Sequence, residues 1–331
     1  MSDPLNSEGF HLNTPNTHTA PANADSKAMR GVLSPVLTPF HADLSVHKEL
    51  LAAQCHWLLK CNVGLAVFGT NSEGNSLSVG ERSDLVQYLV AQGVDPQRMM
   101  PGTGGCALPD VVSLTQACLR AGVQDVLVLP PFYYKGVSDE GLFSFFSELI
   151  ERVGDKNLRV YLYHIPPVSQ IGFSMDLIEK LINRYGSVIA GAKDSGGQWA
   201  NKAAMIERFS HRGFSVFAGS ENFLMRTLRA GGAGCISATA NVNPAAISSL
   251  CSNWTATDAD AQQHRLDVVR ALFAAFPMIP AMKAAVAQVT GESDWKRVRP
   301  PLVSLDATQE LALLNSMKEA GFEMKIDRAS N

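Results

Sequence analysis

Lys193 is the residue of this chain whose type and position most directly suggest chemistry. It closes an apolar, strand-like run, Val-Ile-Ala-Gly-Ala, just before a turn. Apolar surroundings disfavour the ammonium form of a lysine, and a neutral amine can attack a carbonyl group to form a Schiff base. The alternative is a lysine that extends from the strand end into solvent and takes no part in a reaction.

Other polar residues also follow apolar runs. Residues 69–73, Gly-Thr-Asn-Ser-Glu, come after the second run, Tyr133 and Tyr134 come after the fourth, and Tyr163 ends the fifth. In a parallel α/β barrel, the carboxyl ends of the strands form the active-site face. We therefore expect these residues to lie on the same face as Lys193.

The elements that would position these residues repeat along the chain. Short apolar runs alternate with longer amphipathic ones, which is typical of βα units around a parallel sheet. The G-x-G-x-x-G dinucleotide fingerprint is absent, and this favours an α/β protein with a (β/α)8 TIM barrel over a doubly wound sheet. Eight strands are predicted, at 31–37, 64–68, 98–102, 125–129, 159–163, 188–193, 214–218 and 234–237.

The predicted barrel occupies the middle of the chain. Residues 1–28 are rich in Asn, Pro, Ser, Thr and Ala and are predicted to form a disordered N-terminal tail. The catalytic barrel is expected over residues 29–250. Three further helical patterns then predict a C-terminal helical extension over residues 251–331.

Composition excludes several classes of partner. The 331 residues carry a net charge of -3 with mixed signs, so no basic surface for nucleic acid is expected. No apolar run reaches about 18 residues, so no membrane helix is expected. The six cysteines form no C-x-x-C pair, and a cytoplasmic location is predicted.

Five separated motifs carry a resemblance to a known family. They are Gly-Val-Leu-Ser-Pro-Val-Leu-Thr-Pro-Phe at 31–40, residues 69–73, Tyr-His-Ile-Pro at 163–166, Gly-Ala-Lys-Asp-Ser at 191–195, and Gly-Gly-Ala-Gly-Cys-Ile-Ser at 231–237. Together they resemble the dihydrodipicolinate synthase/N-acetylneuraminate lyase family of pyruvate-dependent class I aldolases. The resemblance implies a TIM barrel that acts on pyruvate or another 2-oxo acid together with an aldehyde.

The resemblance also implies roles for the catalytic residues. Lys193 would form the imine with the 2-oxo acid, and the protonated imine would act as an electron sink. Tyr163 would be the general acid and base. Thr70 would orient the Tyr163 phenol and, with the backbone amide of Asn71, hold the carboxylate of the 2-oxo acid.

A second tyrosine, supplied by a neighbouring subunit, completes the proton relay in this family. The spacing after the preceding proline favours Tyr133, and Tyr134 is the alternative. Both could instead be aromatic residues packed at a subunit contact. The expected assembly is a homotetramer, a dimer of tight dimers.

Residues that would contact the substrate follow from the same resemblance. Gly219 and Ile236 would border the pyruvate pocket. Glu221 and Ser237 occupy positions that hold substrate hydroxyl groups in sugar-acid members of the family. Each could instead be a helix cap or a solvated loop residue.

The chain departs from the family pattern at three positions. Gln170 stands where synthases carry an arginine for the carboxylate of aspartate semialdehyde, His164 replaces Asn or Asp, and Ser72 replaces a glycine of the loop. The neutral amide of Gln170 cannot form the two charged hydrogen bonds that an arginine donates to a carboxylate. We therefore expect a lyase that cleaves a 4-hydroxy-2-oxo acid or a 2-oxo-3-deoxy sugar acid.

Two alternatives remain open at this point. One is an authentic 4-hydroxy-tetrahydrodipicolinate synthase, which condenses pyruvate with aspartate semialdehyde. The other belongs to a different class, a non-catalytic 2-oxo acid binding protein, although such a module has no use for an imine-forming amine. No cofactor is expected, and no metal site is expected because the histidines show no ligand spacing with carboxylates at strand ends.

Overall fold

Seven parallel strands and twelve α-helices make up the structure, a computed structural model that describes residues 28–326. The strands form one sheet in the order β2-β1-β7-β6-β5-β4-β3. The strands are β1 Gly31–Ser34, β2 Gly64–Leu65, β3 Asp125–Val128, β4 Arg159–His164, β5 Ile189–Asp194, β6 Ser215–Ala218 and β7 Gly234–Ile236. The predicted α/β class is confirmed, and the predicted tail lies outside the described residues except for Ala28.

Helices follow the strands along the chain. The first eight are α1 Lys48–Lys60, α2 Val79–Ala91, α3 Leu108–Arg120, α4 Asp139–Val153, α5 Pro166–Ser169, α6 Met175–Tyr185, α7 Trp199–Phe209 and α8 Leu224–Arg229. Helix α2 begins with a capping box, in which Ser78 and Glu81 satisfy each other's backbone N–H groups. Serine side chains also cap α4 and α6, at Ser138 and Ser174. These local signals explain where the helices start.

The third predicted strand, 98–102, does not form a regular strand, and that prediction is wrong. The segment bonds to both neighbours only through isolated bridges, Leu65 with Met99 and Gly102 with Leu127. Pro101 has no N–H to donate, which limits regular pairing. Its carbonyl group nevertheless accepts a hydrogen bond from the backbone N–H of Leu127, at 2.9 Å.

Both faces of the sheet are buried. One face packs under the helices, and the other encloses a separate apolar cluster. Burial on both sides explains why the strands appear in the sequence as continuous apolar runs rather than alternating ones. The enclosed cluster consists of Leu33, Ala66, Met100, Leu127, Tyr161, Tyr163, Ile165, Ala190, Phe217, Ala233 and Ile236.

Four more helices follow β7, namely α9 Pro244–Ser252, α10 Ala259–Ala274, α11 Met278–Thr290 and α12 Ala307–Glu319. The last three agree with the helical patterns predicted beyond the barrel. Among residues 28–326, no single helix is long and apolar enough to cross a membrane. Helices α10 and α11 would together have the length and composition of one span, but they are bent by 106° at their junction.

Candidate active site

A lysine and a tyrosine meet at the centre of the site because their strands are neighbours. Tyr163 on β4 is the direct register partner of Lys193 on β5. The Lys193 Nζ atom lies 3.2 Å from the Tyr163 hydroxyl, and the Thr70 hydroxyl lies 3.3 Å from the same oxygen. Lys193 and Tyr163 are each 2% exposed. The structure therefore brings three of the predicted catalytic residues together and excludes a lysine that extends into solvent.

A register shift creates this pairing. The pairing of β4 with β5 moves by one residue between Val160 and Tyr161, where Ala190 is the extra residue on β5. In a sheet, a shift by one residue moves every side chain to the opposite face. Without the irregularity, the residue before Lys193 would lie opposite Tyr163, and the amine would point away from the phenol.

Two glycines allow the chain to approach closely around this centre. A Cβ atom on Gly191 would lie 2.1 Å from the carbonyl oxygen of Ser215 and 2.8 Å from the Tyr161 ring. A Cβ atom on Gly219 would lie 2.0 Å from the Ser195 Oγ atom. Both contacts are too short for any other residue type. Gly219, predicted to border the pocket, therefore acts by leaving room for the Ser195 hydroxyl.

The Tyr163 phenol is tuned by its neighbours. Burial alone would raise its pKa, but the positive charge of Lys193 and hydrogen bonds with Thr70, Lys193 and Ser195 outweigh burial and lower the pKa. A phenol with a lowered pKa gives up its proton more readily than a free tyrosine. The arrangement can therefore carry a proton between Tyr163 and a group bound at Lys193.

The turn that carries Thr70 is a single 3-10 turn, Thr70–Ser72, with Asn71 half-buried at its middle. The positive φ of this segment falls on Glu73, at 56°, and not on Ser72. Serine in place of the family's glycine therefore requires no strained backbone. The glycine that the turn does require is Gly74, where a Cβ atom would lie 1.9 Å from a backbone oxygen.

A buried ion pair holds this turn in place. The Lys283 Nζ atom on α11 donates to Glu73 Oε1 and to the Thr38 carbonyl oxygen, each at 2.7 Å. The backbone N–H of Arg299 donates to Glu73 Oε2 at 2.9 Å. Burial lowers the pKa of Lys283 to about 8, although Glu73 opposes the shift. Sequence reasoning missed this pair, whose only signal was a lysine within an apolar helix.

A second buried ion pair lies directly after Lys193. Asp194 accepts hydrogen bonds from Lys202 at 3.3 Å and from Asn201 at 2.8 Å. Beside it, His164 accepts a hydrogen bond at Nδ1 from the backbone of Phe173, at 3.1 Å. Burial lowers the pKa of His164, so this histidine is neutral near pH 7 and packs at the strand end.

Glu221 and Ser237 lie together, in a cluster of their own. The Glu221 carboxylate accepts hydrogen bonds from the hydroxyl groups of Ser237 and Thr239, and Arg270 lies 3.8 Å away. Glu221 is only 1% exposed, so the alternative of a solvated loop residue is wrong. The capping role at this turn falls to Ser220, whose side chain accepts from a backbone N–H. Sequence reasoning missed Thr239.

Gln170, Tyr133 and Tyr134 lie on exposed loops. Gln170 directly follows α5 and has a φ of 56°, and the two tyrosines are 72% and 73% exposed. Among residues 28–326, none of the three side chains hydrogen-bonds to Lys193. The two loops are joined by Lys135, which donates to the last carbonyl group of α5 at 3.0 Å. Ile236, in contrast, lies in the enclosed cluster that contains Tyr163.

A parallel sheet with a buried lysine–tyrosine pair near its strand ends is the arrangement that a class I, lysine-dependent lyase requires. The chain belongs to the dihydrodipicolinate synthetase family, whose model matches residues 28–320. This confirms the family inferred from the motifs. It also confirms, for the family as a whole, the expected activity of pyruvate-dependent lyases and aldolases.

Three relatives show how far the similarity extends along the chain. A DapA-like lyase from Chloroflexus aurantiacus, described as uncharacterised, is 32% identical over 88% of this chain and 96% of its own length. The dihydrodipicolinate synthase structure from Agrobacterium tumefaciens has a TM-score of 0.79 with 29% identity, covering 90% of this chain and 99% of that chain. The pyruvate complex of YagE from Escherichia coli has a TM-score of 0.80 with 27% identity, covering 88% and 99%.

Proposed function

We propose that this protein is a class I aldolase or dehydratase that cleaves a 4-hydroxy-2-oxo acid or a 2-oxo-3-deoxy sugar acid through a Schiff base on Lys193. The supporting observation is the buried contact of 3.2 Å between the Lys193 amine and the Tyr163 hydroxyl. A nucleophilic amine next to a proton carrier is what imine formation needs, because water must leave the carbinolamine.

The proposed reaction uses Lys193 and Tyr163 in sequence. The Lys193 nitrogen attacks the C2 carbonyl group, and loss of water gives the protonated imine. In the cleavage (retro-aldol) direction, Tyr163 takes the proton of the 4-hydroxyl group as the C3–C4 bond breaks and the aldehyde leaves. The electron pair of that bond moves into the imine to form an enamine. Protonation of the enamine at C3 and hydrolysis then release pyruvate and the free amine.

The turn at Thr70 supplies the proposed carboxylate site. The Thr70 hydroxyl, already 3.3 Å from the Tyr163 oxygen, and the backbone amide of Asn71 would hold the carboxylate of the 2-oxo acid. Exposed backbone amides in a tight turn favour an anion. The Lys283–Glu73 pair supports this proposal because it fixes the residue that follows the turn.

The remaining substrate contacts are also proposals. Gly219 and Ile236 would form the wall of the pocket. Glu221 and Ser237 would meet hydroxyl groups of a sugar acid. Because these two side chains already hydrogen-bond each other, a substrate hydroxyl must share or replace that bond. We expect this exchange to favour polyhydroxylated substrates.

We propose a closed (β/α)8 TIM barrel over residues 29–250, in which segment 98–102 fills the gap between β2 and β3 without forming a regular strand, with residues 251–331 as the C-terminal helical extension. Hydrogen bonds from this segment to both β2 and β3 support closure. We also propose a homotetramer in the cytoplasm. In this tetramer, Tyr133 of one subunit would complete the proton relay in the active site of the neighbouring subunit, with Tyr134 as the alternative. The exposure of both tyrosines in the single chain supports this role.

The second substrate distinguishes this proposal from the main alternative, 4-hydroxy-tetrahydrodipicolinate synthase. The Agrobacterium relative supports the alternative, whereas an Escherichia coli relative, provisionally named as a 2-dehydro-3-deoxy-D-gluconate aldolase, supports an aldolase. Gln170 favours the aldolase because its neutral amide offers the carboxylate of aspartate semialdehyde only an ordinary hydrogen bond.

The test compares kcat/KM for both reactions in the wild type and in Gln170→Arg. Pyruvate release from a 4-hydroxy-2-oxo acid is measured beside pyruvate consumption with aspartate semialdehyde. We expect the wild type to prefer the 4-hydroxy-2-oxo acid. The substitution should shift the ratio toward the semialdehyde by about 10-fold, the gain from a neutral to a charged hydrogen bond.

Gln92→Arg, at the exposed end of α2, is the matched control and should leave the ratio unchanged. Efficient condensation of pyruvate with aspartate semialdehyde by the wild type would overturn the proposal. It would make the synthase the leading assignment.

A further inference from the structure

Two histidines and an aspartate meet outside the active site. His41 Nδ1 lies 3.1 Å from Asp294 Oδ2, and His47 Nε2 lies 3.9 Å from the same oxygen. The two imidazole rings stack with their centroids 4.1 Å apart. Among residues 28–326, this is the one group of three such side chains whose ligand atoms all lie within 4.8 Å of one another.

The backbone explains why the two histidines are adjacent. Residues 40–46 form a short reversal closed by an antiparallel bridge between Phe40 and Val46. Hydrogen bonds from the His41 N–H to Ser45 at 2.9 Å and from the His47 N–H to Pro39 at 3.0 Å hold its two ends together. The side chains six residues apart therefore emerge side by side.

The aspartate comes from a distant part of the chain. Asp294 lies in the 3-10 turn Ser293–Lys296, just after α11. Arg297 from the same region donates to the Phe40 carbonyl group at 3.4 Å. The site is thus built where the loop after β1 meets the segment after α11.

The spacing suits a small transition-metal ion. Zinc binds imidazole nitrogen and carboxylate oxygen at about 2.0–2.2 Å, so two ligand atoms in a tetrahedral site are roughly 3.3–3.6 Å apart. The observed separations of 3.1 and 3.9 Å bracket that value. All three ligand atoms lie within 4.8 Å of one another, so the side chains must draw together by up to about 1 Å to surround an ion.

On Asp294 and His47, the atoms that would not bind the ion already have partners. Arg297 holds Asp294 Oδ1, which leaves Oδ2 toward the histidines. The Glu49 carboxylate lies 3.3 Å from His47 Nδ1, the nitrogen that also accepts the backbone N–H of Leu50 at 3.4 Å. For Nε2 to bind the ion, the proton must lie on Nδ1, where Glu49 accepts it in place of the Leu50 contact. A carboxylate behind a ligating histidine is a recurrent feature of metal sites because it fixes the tautomer.

We propose that His41, His47 and Asp294 bind a divalent transition-metal ion of the Zn²⁺ class, with a fourth position open to water. The ion would tie the loop after β1 to the segment after α11. None of the three residues belongs to the Lys193 centre, so the role of the ion would be to stabilise the fold. The motif escaped sequence reasoning because Asp294 is remote from both histidines in the chain and none of them ends a strand.

The experiment titrates the metal-stripped full-length protein with Zn²⁺ alone, by calorimetry and by thermal unfolding. We expect one Zn²⁺ per chain and a rise in Tm, since an ion that binds only the folded state stabilises it. His47→Asn and Asp294→Asn should each lower the affinity for Zn²⁺ by at least about 100-fold. Loss of a residue that only hydrogen-bonds to a metal ligand already lowers metal affinity by about 10- to 100-fold, and loss of a ligand itself should cost at least as much.

Both substitutions are chosen to preserve the fold. Asparagine at position 47 can still cap α1, where His47 now accepts the N–H of Leu50. His211→Ala, at an exposed histidine elsewhere, is the matched control and should bind Zn²⁺ like the wild type. The proposal is overturned if the wild type binds no Zn²⁺, or if both asparagine variants keep the wild-type affinity. In either case, His41 and Asp294 would form only a hydrogen-bonded pair.

Discussion

Lys193 and Lys283 are both buried, yet their surroundings assign them opposite tasks. Lys283 faces the Glu73 carboxylate at 2.7 Å. Lys193 faces the Tyr163 phenol at 3.2 Å, and within the described part of the chain no carboxylate oxygen comes within 4.0 Å of its amine. The two side chains are 0% and 2% exposed, so burial does not distinguish them.

The difference shows what makes a buried lysine reactive. A carboxylate favours the ammonium form and so occupies the lone pair that a nucleophile needs. Although burial lowers the pKa of Lys283 to about 8, the amine is still mostly charged at pH 7. A phenol that can accept or return a proton leaves the neighbouring amine free to react. Lys202, which is paired with Asp194, resembles Lys283 in this respect.

The largest effect that would test this comparison is on stability. Lys283→Met should lower the free energy of unfolding by about 3–5 kcal/mol, because Glu73 becomes a buried charge without a partner. Denaturant unfolding measures the loss. The folded variant should still form the imine with pyruvate at Lys193, since Lys283 touches the turn and not the amine.

Two further variants control this experiment. The double variant Lys283→Met with Glu73→Gln removes the unpaired charge and should recover much of the loss. Lys180→Met breaks an exposed pair with Glu140 and should change stability by less than about 1 kcal/mol. If Lys283→Met costs no more than Lys180→Met, the buried pair does not hold the turn.

The next effect concerns the partner of the reactive lysine. Tyr163→Phe keeps the ring in the enclosed cluster but removes the hydroxyl group that contacts Lys193 and Thr70. Turnover should fall by about 100-fold or more through loss of proton transfer, while the unfolding midpoint changes little. Steady-state kinetics and a melting curve measure both. Turnover near that of the wild type would remove Tyr163 from the mechanism.

The smallest expected effect concerns Glu81, which pairs with Arg299, the residue whose backbone N–H also contacts Glu73. Hydrogen bonds from Arg299, opposed by partial burial, lower the pKa of Glu81 to about 2 from its usual 4.5. The stability that this pair contributes is therefore complete above about pH 4.5 and is lost as the pH falls toward 2.

Glu81→Gln removes that titration. Between pH 4.5 and pH 2, the variant should lose less stability than the wild type, as measured by urea unfolding at several pH values. Equal losses in the two proteins would mean that the Arg299–Glu81 pair contributes no pH dependence.

Much of this arrangement was predictable because it lies in local motifs. The lysine near the end of β5, the tyrosine near the end of β4 and the threonine after β2 each belong to polar residues that close apolar runs. Their convergence follows from the parallel sheet alone. The structure brings Lys193, Tyr163 and Thr70 together as predicted, and the family match confirms the class of enzyme.

The rest depends on tertiary contacts that no local pattern encodes. The extra residue Ala190, which sets the register of Lys193, leaves no trace in the apolar run. Neither does the pairing of Lys283 with Glu73, residues 210 positions apart. The predicted third strand is not regular because Pro101 has no N–H to donate, although segment 98–102 still hydrogen-bonds to residues on both sides.

Locating the imine tests the proposed role of Lys193 most directly. Wild type, Lys193→Met and Lys283→Met are each treated with pyruvate and borohydride, and the adduct is mapped by peptide mass spectrometry. We expect one reduced three-carbon adduct per chain on the peptide that contains Lys193, retained in Lys283→Met and absent from Lys193→Met. An adduct on Lys202 or Lys283, or a loss of activity that leaves Lys193 unmodified, would contradict that role.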